Sequence, residues 1–169
     1  HREKVRVGQE GDTLVLESIG RVQDREITVS YPKKTEFEEA SVDVVAGTVN
    51  LDDNFYAKKL EVSVAAGEFT NDSTITAEKA ELTVGTGNID LENLKVQNLE
   101  ADCGIGNIDL GIDGKEKDYD YEISCAAGAI DIGDSSFSCL GHEKKISNPG
   151  SSGKMTFDCG VGNITVDFE

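Results

Sequence analysis

Three aspartates recur at a spacing near twenty, Asp90, Asp109 and Asp131, in the matching contexts NIDL, NIDL and AIDI. Asn50, Thr70 and Thr165 hold the same place in three further copies of the pattern. Carboxylates stacked about 5 Å apart raise one another's pKa and draw cations. Calcium takes carboxylate and carbonyl oxygens of this kind, so the three aspartates are the candidate metal ligands; the competing reading is a solvated acidic face. Asn88, Asn107 and Asn163 lie two residues before this position and can form a side-chain amide ladder along a stack.

Cysteine is the second reactive type. Cys103, Cys125 and Cys159 each stand three residues before a shared glycine, where earlier copies carry Val44, Val64 and Val84. A slot that takes valine or cysteine is an interior apolar position, so these thiols are expected to be buried and free. A disulfide between neighbouring coils has awkward geometry, and metal binding lacks the paired-cysteine spacing. Cys139 and His142 form a C-x-x-H pair, half of a zinc site with no second local pair. With His1 the only other histidine, a Ser-His-Asp or Cys-His set has almost no material, and the expectation is a protein that is not an enzyme. The enzymatic alternative is a carbohydrate-active β-helix using Asp90, Asp109 and Asp131 as stacked carboxylates.

The elements that would position these groups are repeats. SVDVVAGTVNL (41–51), LEVSVAAGEFTN (60–71), ELTVGTGNIDL (81–91), EADCGIGNIDL (100–110), YEISCAAGAIDI (121–132) and MTFDCGVGNITV (155–166) align on one glycine. That glycine is Gly47, Gly67, Gly87, Gly106, Gly128 and Gly162, at spacings of 20, 20, 19, 22 and 34. Apolar residues alternate on either side of it, for example Leu60, Val62 and Val64 before and Phe69 after, which is strand periodicity with one face inward. A period near twenty signals stacked repeats. The expected fold is all-β, a β-solenoid or flattened β-helix of about six twenty-residue coils, with two main strands per coil and largely parallel sheets. Glycine marks the corner between the strands, a place that needs positive φ or close backbone approach. Six rungs at about 4.8 Å make a rod roughly 25–30 Å long.

Composition agrees. Aromatic residues are 6% of the chain and tryptophan is absent, so a core must come from mid-sized aliphatics and cysteine, which suits thin coils. The formal net charge is −17. Residues 1–39 carry 7 basic and 9 acidic residues, and the remainder 9 and 24, so the repeats hold most of the excess. Nucleic acid and anionic lipid surfaces are therefore poor partners, and no stretch approaches the roughly 18 apolar residues of a membrane span.

Residues 1–39 are expected to form an N-terminal β-strand cap from VRVGQ, DTLVLES and REITVSY. Residues 40–169 form the solenoid, the whole being one structural domain. The long last spacing places a projecting loop insertion at 133–151, rich in Gly, Ser, Asn and Pro. The last repeat ends at Phe168-Glu169 with no C-terminal cap in view, an edge open to self-association. The calcium nonapeptide roll is set aside, because its period is nine and it needs a double glycine.

REITVSYPKKTEFEEASVDVVAGTVNL, a strand and proline leading into the first glycine repeat, followed by the G-N-I-D-L and G-N-I-T-V units, resembles the bacterial adhesin-type domains. The resemblance runs from about Thr13 to Phe168 and implies a repetitive all-β body, often in proteins with a signal or membrane anchor elsewhere. It carries no catalytic residues over and no cofactor. The function so expected is a non-enzymatic adhesion or binding module at the bacterial cell envelope, outside the cytoplasm. Its ligand would be a protein, a glycan or a cell-wall polymer. The alternative is a scaffold that self-associates through the solenoid ends in a membrane-linked regulatory system. Four cysteines are unusual for an extracytoplasmic chain unless burial protects them.

Overall fold

Alternating side chains and regularly spaced glycines favour extended structure along the chain. The computed structural model describes the backbone at residues 4–10, 13–19, 28–32 and 35–169, and the side chains at 8, 15, 28–32, 35–138, 141 and 143–169. It divides into two units, His1–Pro32 and Lys33–Glu169. In the first, β1 (Lys4–Glu10) and β2 (Thr13–Ile19) pair antiparallel as a two-stranded sheet. Of the third strand expected there, residues 25–27 lie outside the described ones and residues 28–31 carry no strand. The division after Pro32, rather than after residue 39, follows from β3 (Glu36–Val44), which pairs in parallel with the next repeat.

The second unit is a β-solenoid-like stack. After β3 come β4 (Gly47–Leu51), β5 (Phe55–Ile112), β6 (Tyr119–Ile132), β7 (Ser135–Ile146) and β8 (Gly153–Phe168). A 3-10 turn, Glu116–Asp118, precedes β6. The long β5 runs through several successive repeats, so its strand continues around corners. Parallel pairing places equivalent residues above one another, as in Val42 with Val62 and Val49 with Phe69. The inward triplets Leu60/Val62/Val64, Ala80/Leu82/Val84 and Leu99/Ala101/Cys103 are buried, as are Met155/Phe157/Cys159 and Tyr121/Ile123/Cys125. Fully burying one such aliphatic side chain stabilises the fold by roughly 1.5–3 kcal/mol. The first three repeats also bury a third alternating run that the two-strand coil omitted: Phe55/Ala57, Ile75/Ala77 and Leu94/Val96.

The order of stacking departs from the order of the chain. β8 pairs on one side with residues 98–112 of β5 and on the other with β6. The last repeat is thus inserted between the fourth and the fifth. The aligned glycines show the same order: a Cβ on Gly162 would strike the backbone of Gly106, and one on Gly128 would strike Gly162. Only glycine admits this approach at the corner.

The expected projecting loop at 133–151 and the uncapped final repeat are both corrected by β7. This strand folds back antiparallel on β6, with Ile132 opposite Ser135. The two residues between them, Gly133 and Asp134, form a tight hairpin with Gly133 at φ 51°. Beyond β7 the return segment is pinned to the start of β6. Asn148 Nδ2 donates to the Tyr119 carbonyl at 2.7 Å, the Asn148 backbone N–H to Asp120 Oδ1 at 2.7 Å, and Ser152 N–H to the Asp118 carbonyl at 2.9 Å. These bonds carry the chain past the β6 rung and deliver β8 into the gap beside β5.

Candidate functional site

The position three residues after each corner glycine points outward and carries Asn50, Thr70, Asp90, Asp109, Thr165 and Asp131 in stacking order. Asp90 and Asp109 are therefore neighbours, whereas Thr165 separates Asp109 from Asp131. The expected run of three adjacent aspartates is broken because the last repeat is inserted ahead of the fifth. Thr70 Oγ1 donates to Asn50 Oδ1 at 2.7 Å at the start of the same column. The asparagine ladder gains from the same insertion. Asn107 Nδ2 donates to Asn88 Oδ1 and Asn163 Nδ2 to Asn107 Oδ1, each at 3.3 Å.

Two residues further along lies a second column, Asp52, Asp72, Glu92, Gly111, Asp167 and Gly133 in stacking order, acidic at four of its six places. Together the two columns border an open groove of about 750 Å³. Its lining includes Asp72, Asp90, Glu92, Asp109, Asp167 and Glu169, interleaved with Ser73, Thr74 and Asn93, and among the described residues no lysine or arginine lines it. The groove exists because β8 lies against β5, which sets Asp167 beside Gly111. Burial, then Asp109, Asp72 and Glu68 in that order, raises the Asp90 carboxyl above the ordinary aspartate range. Asn93, on the wall, has a buried Oδ1 with no hydrogen-bond partner.

Several lysines pair with carboxylates outside the groove lining. Lys58 pairs with Glu38 at 2.8 Å, Lys145 and Lys154 with Glu122 at 2.9 and 2.8 Å, and Lys95 with Asp113 at 3.2 Å. Among the described residues, no group of three or more His, Cys, Asp or Glu converges closely enough to hold a metal ion. The arrangement is an extended acidic wall rather than a chelating pocket.

The cysteine column is contiguous: Cys103 faces Cys159, and Cys159 faces Cys125. All three are buried. Cys103 and Cys159 are free, as expected. Cys125 is disulfide-bonded, which corrects the expectation of three free thiols. Burial first, then Cys159, pushes the Cys103 thiol up to about 11, and burial also raises Cys159. The C-x-x-H pair, Cys139 and His142, has its side chains outside the described ones.

The family profile described as Toastrack DUF4097 matches residues 4–140. The chain belongs to the Toastrack DUF4097 family. Toastrack domains are β-rich and repeat-like with no assigned activity, and the match spans β1 through the first half of β7, stopping short of the rung that β8 inserts. No curated protein and no solved structure matches the chain. What is common to this Toastrack chain and the adhesin-type resemblance is the repetitive β architecture.

Two of the six groove carboxylates were legible in the sequence. Asp90 and Asp109 were identified, but Asp72, Glu92, Asp167 and Glu169 were not. Their signal was present as a second column of acids five residues after the glycine, at Asp52, Asp72, Glu92 and Asp167.

Proposed function

We propose that this Toastrack chain is a non-enzymatic binding module whose acidic groove receives cationic groups of a partner protein or cell-wall polymer at the bacterial envelope. The observation that carries the reading is the groove lining: six carboxylates and, among the described residues, no basic one along a wall of stacked strands. A partner bearing amines spaced near the rung repeat of about 4.8 Å would meet one carboxylate per rung. The rigid backing of about six rungs holds those carboxylates in place before the partner arrives, so little ordering entropy remains to be lost on binding. The Cys125 disulfide supports an oxidising compartment, as envelope exposure requires. The adhesin-type resemblance of the repeats agrees with display at a surface.

The test is binding of a fluorescent oligolysine peptide to the full chain and to the Asp90→Asn/Glu92→Gln/Asp109→Asn variant. The reading expects the variant to bind at least tenfold more weakly, and wild-type binding to weaken steeply as salt rises. Equal binding by both chains, or none by either, contradicts it. Protease treatment of intact producing cells tests the location, which predicts cleavage without lysis.

A second reading, self-association, is favoured by the β3–β4 rung, where Val42, Val49 and Leu51 are only half-buried. Light scattering across a hundredfold range of concentration separates the two readings, since a module of the first kind stays monomeric when unliganded.

A further inference from the structure

The two boundary rungs of the stack are built from different residue types. At the β3 end the core-facing places keep apolar side chains, Ala40, Val42, Val49 and Leu51. At the β7 end two of these places do: Ile146 and Phe137 lie opposite the buried Tyr121 and Ile130, but two others carry Lys144 and Ser135. Directly opposed residues of an antiparallel pair share one face of the sheet. Lys144 is opposite Ile123 and therefore stands on the core side, in the column that every other rung fills with Val42, Val62, Leu82, Ala101, Phe157 or Ile123. Ser135 is opposite Ile132, in the column of Leu51, Leu91, Leu110 and Val166.

The charge is held in place. Phe137 is opposite the buried Ile130, and the Lys144 ammonium sits 4.3 Å from the centre of the Phe137 ring. The aliphatic stem of Lys144 and the ring of Phe137 thus lie across the end of the core, while the ammonium stays in water over the ring face.

We propose that β7 is a terminating rung, in which Lys144, seated on Phe137, closes this end of the stack against a second copy of the chain. A further rung laid on β7 would enclose the ammonium between two apolar layers with no carboxylate to receive it, a penalty that edge strands use against pairing. The free edge of β7 is thereby kept from templating growth, although its backbone groups face outward. The inference does not depend on the acidic groove. It confines any end-to-end association to the β3 side.

The full chain carrying Lys144→Met, which keeps the stem and removes the charge, is compared with wild type and with Lys144→Arg by sedimentation velocity. Lys144→Met is expected to associate at about a hundredfold lower concentration than either of the others. Attachment of a cross-linker at Ser136→Cys should report β7–β7 or β7–β3 proximity only in the Met background. Retention of the wild-type sedimentation profile by a folded Lys144→Met overturns the proposal, as does cross-linking of wild type through Ser136→Cys. Should Lys144→Met fail to fold, Phe137→Leu asks the same question by removing the ring that seats the ammonium. A folded Phe137→Leu that remains as dispersed as wild type also overturns it.

Discussion

Replacing Gly106 with alanine tests the corner packing that sets the whole stacking order. The position a Cβ would take lies 1.9 Å from the Gly87 carbonyl oxygen and 3.0 Å from the Gly87 carbonyl carbon. Comfortable separations are about 3.5 Å, so the two rungs must part by more than 1 Å, or the corner must rotate away. Either response strains the ladder on both sides. Overpacking costs about 1–3 kcal/mol, each ladder bond lost about 1 kcal/mol, and alanine at a φ of 149° a further 1–3 kcal/mol. The sum is about 4 kcal/mol or more, a large share of the roughly 5–15 kcal/mol that holds a domain folded. Gly47 supplies the internal control, because it has a φ of 133° and a Cβ there meets nothing within 4 Å. Gly47→Ala isolates the backbone term, at about 1–2 kcal/mol. Thermal unfolding followed by far-UV circular dichroism should place Gly106→Ala roughly 4–8 °C below Gly47→Ala. Equal losses for the two variants would refute the argument from close backbone approach.

Other consequences follow from single side chains. Asn71 is buried in the column of Leu51 and Leu91, donates Nδ2 to the Leu51 carbonyl at 2.8 Å and leaves Oδ1 without a partner, so Asn71→Leu should stabilise the chain by about 1 kcal/mol in urea unfolding. Cys103 and Cys159 should resist alkylation in the native state and react on unfolding, and Val at either place should change stability by less than about 1 kcal/mol. Because the folded-state pKa of Asp90 is raised, the folded chain holds that proton to higher pH than the unfolded one, and stability falls as pH rises from about 3.9 through the folded value. Asp90→Asn should therefore raise the melting temperature at pH 7 and leave it unchanged at pH 3. Glu122 behaves oppositely: hydrogen bonds from Lys154 and then Lys145 lower its pKa to about 2, so the stability it contributes is present above about 4.3 and lost as pH falls towards 2. Glu122→Gln should lower the melting temperature at pH 7 but not at pH 2.

The columns were legible because β alternation writes each inward place twice over, once by its period of two and again by recurrence at twenty. Val44, Val64, Val84, Cys103, Cys125 and Cys159 could be assigned to one buried slot without coordinates. The order of the rungs could not. Each copy of the repeat offers nearly the same apolar face, so the sequence alone does not tell whether MTFDCGVGNITV lies on YEISCAAGAIDI or slides in beneath it. That choice rests on the β7 hairpin and on the bonds from Asn148 and Ser152 to residues 118–120. The hairpin did have a signal, Gly133-Asp134 between two alternating runs, but the serines and glycines of 135–141 read as loop. The third buried run at Ile75/Ala77 and Leu94/Val96 was hidden because charged and polar neighbours dilute it. Broken adjacency of Asp109 and Asp131, and the groove that Asp167 completes, both descend from the rung order.

Disulfide capture at the exposed corner measures that order most directly. Ile105 and Val161 are exposed and are register partners on adjacent rungs, whereas Ala127 lies one rung beyond Val161. Adjacent rungs bring cysteines within the roughly 4.4–6.8 Å that a disulfide spans, and two rungs do not. Ile105→Cys with Val161→Cys is expected to oxidise to a bridge found by peptide mass mapping, while Ile105→Cys with Ala127→Cys stays reduced. Bridging of Ile105→Cys to Ala127→Cys, with none to Val161→Cys, would mean that the repeats stack in chain order and that the acidic groove is not built as described.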